Sequence, residues 1–193
     1  MRRWFADPFH YVAGAQALLL GCAILALTAL VASFASVHLD GIIDAHYGAP
    51  LSVLRGLAEG ALNVTIMTLV LAPVVFFLGR PGWRFIDLLG TQVLARAPFV
   101  LIALIMLGYP MFIELPDVVA LSQSGTAPTS AQALALLGLT ALTLPPVIWS
   151  VYLMYRSFST CADLRGGKAI VAFVIALIVA ETLSKLIFLR LTN

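Results

Sequence analysis

Two imidazoles and two carboxylates fall within nine residues of one another, in the stretch His38-Leu39-Asp40-Gly41-Ile42-Ile43-Asp44-Ala45-His46. Imidazole nitrogen and carboxylate oxygen are ligands suited to zinc and other divalent transition metals. His38, Asp40, Asp44 and His46 are therefore a candidate metal set. On a continuous helix Asp40 and Asp44 would share a face as an i, i+4 pair, with His38 and His46 two turns apart. Gly41 can break that helix and let all four side chains converge. The plain alternative is a solvated loop or interfacial helix whose acids and histidines face water. No glycine-rich phosphate cradle, CxxC pair, HExxH or GxSxG motif occurs, and the order of Ser, His and acidic residues marks no triad. No catalytic residue and no organic cofactor follow from the sequence.

A second group of polar residues stands out because it interrupts apolar sequence: Glu59, Asn63, Glu114, Glu181 and Lys185. Ionisable groups inside a membrane are costly unless paired or hydrated, so they face a bundle interior or a cavity. Read onto helices, all five map to one half of the membrane, the half that follows the first span. The expectation is a single outward-facing polar pocket formed with the His38–His46 stretch. Glu181 and Lys185 also have the i, i+4 spacing of an intrahelical ion pair, with the acid on the favourable N-terminal side.

The elements that must position these residues are membrane spans. The chain is 62% hydrophobic and only 10% charged, against about 45–50% and about 25% in an average soluble domain, so water is excluded as the solvent for most of its surface. Five segments approach the ~20 apolar residues that a helix needs to cross a bilayer core: 12–34, 57–79, 98–116, 133–155 and 169–191. Nothing alternates like a barrel strand, so the fold class is all-α, a single-domain bundle of five transmembrane helices. Pro73, Pro110, Pro145 and Pro146 fall inside these segments and predict kinks. Between the second and third segments, Trp83, Phe85, Ile86, Leu89 and Val93 alternate with Arg84, Asp87, Gln92 and Arg96 at helical spacing, which predicts a short amphipathic helix on the membrane surface. The stretch 117–131 has no basic residue and reads as a solvated external loop.

Orientation follows from the basic residues. Arg2, Arg3, Arg80, Arg84, Arg96, Arg156, Arg165 and Lys168 fall on one side, and Arg55, Lys185 and Arg190 on the other. The tally of eight to three places the N-terminus in the cytoplasm and the C-terminus outside. A cleaved leader after Arg2 and Arg3 is the competing reading of the N-terminus, but the apolar stretch is too long for one. Trp4, Phe5, Phe9 and Tyr11, with Asp7 and Pro8, read as a membrane-surface anchor. Ala13, Ala17 and Gly21 in the first span, and Gly56 and Gly60 in the second, are small residues four apart that let helices approach closely. Cys22 lies in an apolar run and Cys161 in a polar one, so they are read as free thiols at different depths. The net charge of +2 and the short basic clusters exclude a nucleic-acid partner.

Three features together carry a family resemblance. They are the N-terminal lead Asp7-Pro8-Phe9, the five apolar segments, and the run Tyr152-Leu153-Met154-Tyr155-Arg156 that leads through Gly166-Gly167-Lys168-Ala169-Ile170 into the last span. In these the chain resembles the Yip family of Ypt/Rab-interacting polytopic membrane proteins, in its bacterial branch, and the His38–His46 stretch also resembles one found in bacterial members. The resemblance implies the topology of a bacterial inner-membrane protein rather than an activity, and with no catalytic motif in the chain the leading expectation is a non-enzymatic protein. Eukaryotic members bind small GTPases through a longer cytoplasmic N-terminal region, and the short lead here speaks against that partner. The functional expectation is a Yip-type protein in the lipid bilayer whose outward polar pocket takes a divalent metal such as zinc, or protons. A small transporter or channel component acting as a homo-oligomer is one alternative. A membrane-embedded metallo-hydrolase is the other.

Overall fold

The computed structural model describes residues 7–113 and 127–192. After a short 3-10 turn at Pro8–His10, the chain forms α1 (Gly14–Ala35), a two-stranded hairpin of β1 (Val37–His38) and β2 (His46–Tyr47), and α2 (Val53–Leu78). Next come α3 (Phe85–Ala95) and α4 (Phe99–Gly108), which a 3-10 turn at Tyr109–Met111 extends. Two long helices close the described chain, α5 (Ser130–Ala162) and α6 (Gly166–Thr192). Among the described residues, five stretches are long and apolar enough to cross a membrane: α1, α2, Phe85–Met111, α5 and Gly166–Leu191. Large apolar side chains such as Leu19, Phe34, Phe76, Phe77 and Leu137 point outward from the bundle, as a hydrocarbon solvent requires of helices with no polar face.

Most spans match their apolar sequence within a turn, and the deviations have local causes. Ser52 caps α2 by accepting the Arg55 amide, and Thr129 with Gln132 forms a reciprocal capping box that starts α5 at Ser130. At its other end α5 runs beyond the expected 155 to Ala162, where Asp163 adopts a left-handed conformation and ends it. Cys161 consequently sits in that last helical turn rather than in a polar loop, with its sulfur 3.5 Å from Thr91 Oγ1. Cys22 is also free. The helices continue through Pro73, Pro145 and Pro146, while Pro110 lies in the 3-10 turn. Glu114 and most of the stretch 117–131 lie outside the described residues.

The third span differs most from the sequence reading. The helix expected on the membrane surface does form as α3, but Leu88 and every residue from Gly90 to Arg96 are buried. The span therefore starts at Phe85 rather than at residue 98. Its polar side chains find partners across the bundle. Gln92 donates to the Met154 carbonyl and to Ser157, Ser157 bonds Thr91, and Ser150 donates to the Ala95 carbonyl. α3 packs on α1 at backbone distance: Gly14 lies beside Gly90 and Gly21 beside Val93 and Leu94, so the two helices run parallel. A Cβ at Gly21 would lie 2.7 Å from the Leu94 nitrogen. The small-residue stripe of α1 thus serves a helix of the same chain, as does Gly56, which rests on Ala29.

Candidate functional site

The hairpin after α1 turns back into the bundle instead of standing in water. Ser36 leaves α1 in a left-handed conformation, and Val37 pairs with Tyr47 and His38 with His46 in an antiparallel register. Its tip carries Leu39 and Ile42, both buried in the core among the helices. A non-helical backbone at that depth must find internal partners for its N–H and C=O groups. The helices supply them from side chains.

From α2, Glu59 Oε2 accepts the Leu39 amide at 3.2 Å and Asn63 Nδ2 donates to the Leu39 carbonyl at 2.5 Å. From α6, Ser184 Oγ donates to the Asp40 carbonyl at 3.2 Å, and Glu181 Oε2 accepts the amides of Ile42 at 2.6 Å and Ile43 at 3.2 Å. Between α3 and α4, Arg96 donates to the carbonyls of Ile42 at 3.2 Å and Gly41 at 3.5 Å, with its guanidinium 4.2 Å from the centre of the Phe99 ring. Ile42 is thus held at both ends, its N–H by a carboxylate and its C=O by a guanidinium. Ser184 also donates to Asn63 Oδ1 and ties α6 to α2 at this level. The intramembrane ionisable residues here are the hydrogen-bond partners of an inserted loop.

Position on the helices explains the depth. Asn63 lies ten residues into α2 and Glu181 eleven before the end of α6, each roughly 15 Å along its axis at 1.5 Å per residue. Arg96 lies eleven residues after the start of α3, so it stands well inside the bundle. It is 4% exposed, and it belongs to neither end of the bundle. Without it the basic tally is seven to three, and the sign of the asymmetry stays the same.

The four expected metal ligands separate into two groups. Asp40, Asp44 and His46 come together, with one ligand atom from each lying within 4.8 Å of the others. His46 Nδ1 is 3.5 Å from Asp40 Oδ1 and 3.9 Å from Asp44 Oδ2. Ligands about 2.1 Å from a tetrahedral zinc stand roughly 3.4 Å apart, so the three fit such an ion after small side-chain movements. His38 does not join them. Its Nε2 lies 3.0 Å from the Ala49 carbonyl, which can only accept, so that nitrogen carries a hydrogen; its Nδ1 lies 2.9 Å from Glu59 Oε1. With both ring nitrogens committed, His38 is a buried structural link that stacks on His46 at 5.7 Å between ring centres.

Lys185 also departs from expectation. Its ammonium bonds Asp44 and lies 3.3 Å from Asp40 Oδ1, while Glu181, its expected partner, is turned to the loop amides. The cluster therefore already contains a cation between its two carboxylates. Glu59 receives Arg55 Nε at 3.2 Å in addition to Leu39 and His38. Of the expected pocket, Glu59, Asn63, Glu181 and Lys185 all contact the inserted hairpin. Sequence reasoning missed Arg96 and Ser184. The signal available for Arg96 was the apolar sequence on both sides of it; nothing local marks Ser184. Tyr47, on β2, donates to the Met106 carbonyl at 2.6 Å, and its burial, with the Tyr109 phenol nearby, pushes its pKa up to about 12.

Comparison with known proteins finds no family model, no curated protein and no solved structure that matches this chain.

Proposed function

We propose that this chain is a non-enzymatic, multi-pass inner-membrane protein of the Yip type, N-terminus in the cytoplasm and C-terminus outside, whose outward polar site exchanges a lysine ammonium for a divalent cation. The observation that carries the cation reading is the grouping of Asp40, Asp44 and His46 around the ammonium of Lys185. Two carboxylates with one ammonium leave the site one negative charge when the imidazole is neutral. A zinc-like ion meets oxygen and nitrogen ligands there that match its chemistry. Lys185 is 38% exposed at its side chain, so it can swing into water as the ion enters. The hairpin anchors hold the ligands in place, and the bound ion would in turn pin β2 and the loop tip to α6.

Two observations support the rest of the reading. The segments that carry the family resemblance meet in space, since Asp7 of the N-terminal lead forms an ion pair with Arg156 of the Tyr152–Arg156 run. The remaining basic ends keep their excess on the N-terminal side of the chain. The prolines within α2 and α5 remove helix hydrogen bonds and, on this reading, bend those helices around the inserted loop.

Calorimetric titration of detergent-purified protein with zinc, paired with elemental analysis, tests the cation site. Wild type is expected to bind one ion per chain, Asp44→Asn to lose it, and Lys185→Met to bind it more tightly because its internal competitor is gone. Absence of binding in both wild type and Lys185→Met ends the proposal.

A further inference from the structure

On the opposite half of the bundle from the inserted loop, α2 and α6 line an apolar groove of about 730 Å³. Val70, Val74 and Leu78 of α2 form one wall, and Val171, Ile175 and Val179 of α6 form the other. Both triplets are i, i+4 rows, so each wall is a continuous apolar stripe along its helix. The Ser184 to Asn63 hydrogen bond joins the same two helices farther along, and Lys168 stands at the opposite end of the groove. From Lys168 to Val179 is eleven residues, roughly 16 Å along a helix. That is close to half of a hydrocarbon core about 30 Å thick. The groove has the length of one leaflet, with its lysine at headgroup level.

The charge at that level is unbalanced in one direction. Asp7, Asp87 and Asp163 are each paired with an arginine, Arg156, Arg84 and Arg80 respectively. Lys168 and Arg165 have no acidic partner among the described residues. The first turn of α6 contains no acid, and Arg165, the residue before it, carries no side-chain acceptor for the amides of that turn. A helix N-terminus in this state favours an anion. A second copy of the chain would bring the same paired acids to this level, with none free for Lys168.

We propose that the groove holds one anionic phospholipid, with an acyl chain between the valine stripes and its phosphate against Lys168 and the first-turn amides of α6. The bilayer presents such molecules to the open side of the groove continuously, and no conformational change is needed to admit the chain. Lys168 provides the discrimination among headgroups, and the stripes provide the affinity for any acyl chain.

The test uses the full-length chain reconstituted in phosphatidylcholine bilayers that contain spin-labelled phosphatidylglycerol or, in parallel, spin-labelled phosphatidylcholine. Wild type is expected to immobilise phosphatidylglycerol in preference to phosphatidylcholine. Lys168→Ala, at an exposed position without ion pairs, is expected to lower that preference about fivefold, the effect of one lysine near an anionic surface. Ala172→Trp, which fills the groove, is expected to remove the preference for phosphatidylglycerol and leave the two lipids equally immobilised by the rest of the lipid-facing surface. Equal immobilisation of the two lipids in wild type overturns the assignment. So does a preference that Lys168→Ala leaves unchanged, or a dimer that excludes lipid and is broken by Ala172→Trp.

Discussion

Replacing Glu181 with leucine removes the acceptor for two loop amides, and the structure sets the size of the effect. Ile42 is fully buried, and its amide meets the carboxylate at 2.6 Å; Ile43 is 38% exposed, and its amide meets the same oxygen at 3.2 Å. A buried donor left unpaired costs about 1–3 kcal/mol, and a bond to a charged acceptor lies toward the upper end of that range. The Ile43 amide can be rehydrated, so it adds little. The expected destabilisation of Glu181→Leu is therefore about 3 kcal/mol, against about 1 kcal/mol for Glu181→Gln, whose amide oxygen keeps one acceptor. Global stability alone would not locate the loss. Hydrogen exchange of the Ile42 and Ile43 amides in detergent micelles does. Both should exchange faster in Glu181→Leu, with Ile42 changing more, and Glu181→Gln should restore most of the protection. If these amides exchange at the wild-type rate in Glu181→Leu, the loop is not held by α6 and the account of the site fails.

Further outcomes follow from the same network. Arg96→Met leaves the Gly41 and Ile42 carbonyls without their donor and should cost about 3 kcal/mol in an unfolding titration; unchanged stability would show that the guanidinium is dispensable. Gly41→Ala places a Cβ 2.6 Å from Glu181 Oε1 and should cost about 1–3 kcal/mol by overpacking, with faster exchange at Ile42. Tyr47 supplies a pH dependence: its pKa is about 12 in the folded chain and 10 when unfolded. The folded state holds that proton more tightly, so the contribution is complete below pH 10 and lost as pH rises through 12. Phenolate absorbance and unfolding midpoints measured together should show the loss, and Tyr47→Phe should remove this pH dependence. Alkaline phosphatase fused after Asn193 should be active in a bacterial host, and inactivity there would reverse the proposed orientation.

The inserted hairpin also changes how the charged residues should be understood. Glu59, Arg96 and Glu181 would each be expensive alone in hydrocarbon, yet each meets backbone groups of the loop that would otherwise be orphaned. The charges and the irregular backbone solve each other's desolvation problem. The Asp40, Asp44 and His46 side chains inherit their position from this arrangement, because the residues between them are the ones the helices grip. The proposed cation would therefore be linked to the loop: whatever binds the inserted form stabilises insertion.

Local sequence was enough to determine the all-helical class and four of the five spans, because each span needs only about 20 consecutive apolar residues, a property that requires no partner. It was also enough to mark Glu59, Asn63, Glu181, Lys185 and the His38–His46 stretch as costly if exposed to lipid. The start of the third span was hidden, since Thr91, Gln92 and Arg96 break its apolar run and are compensated by Met154, Ser157 and the loop carbonyls. Those partners are 54 to 66 residues away. Only the tertiary structure decided that His38 joins Glu59 rather than the Asp40, Asp44 and His46 group, that Lys185 serves Asp40 and Asp44 rather than Glu181, and that Arg96 reaches the inserted loop. Hydrophobic cost is summed along the chain, whereas a hydrogen bond depends on an angle and a distance between groups that only folding brings together.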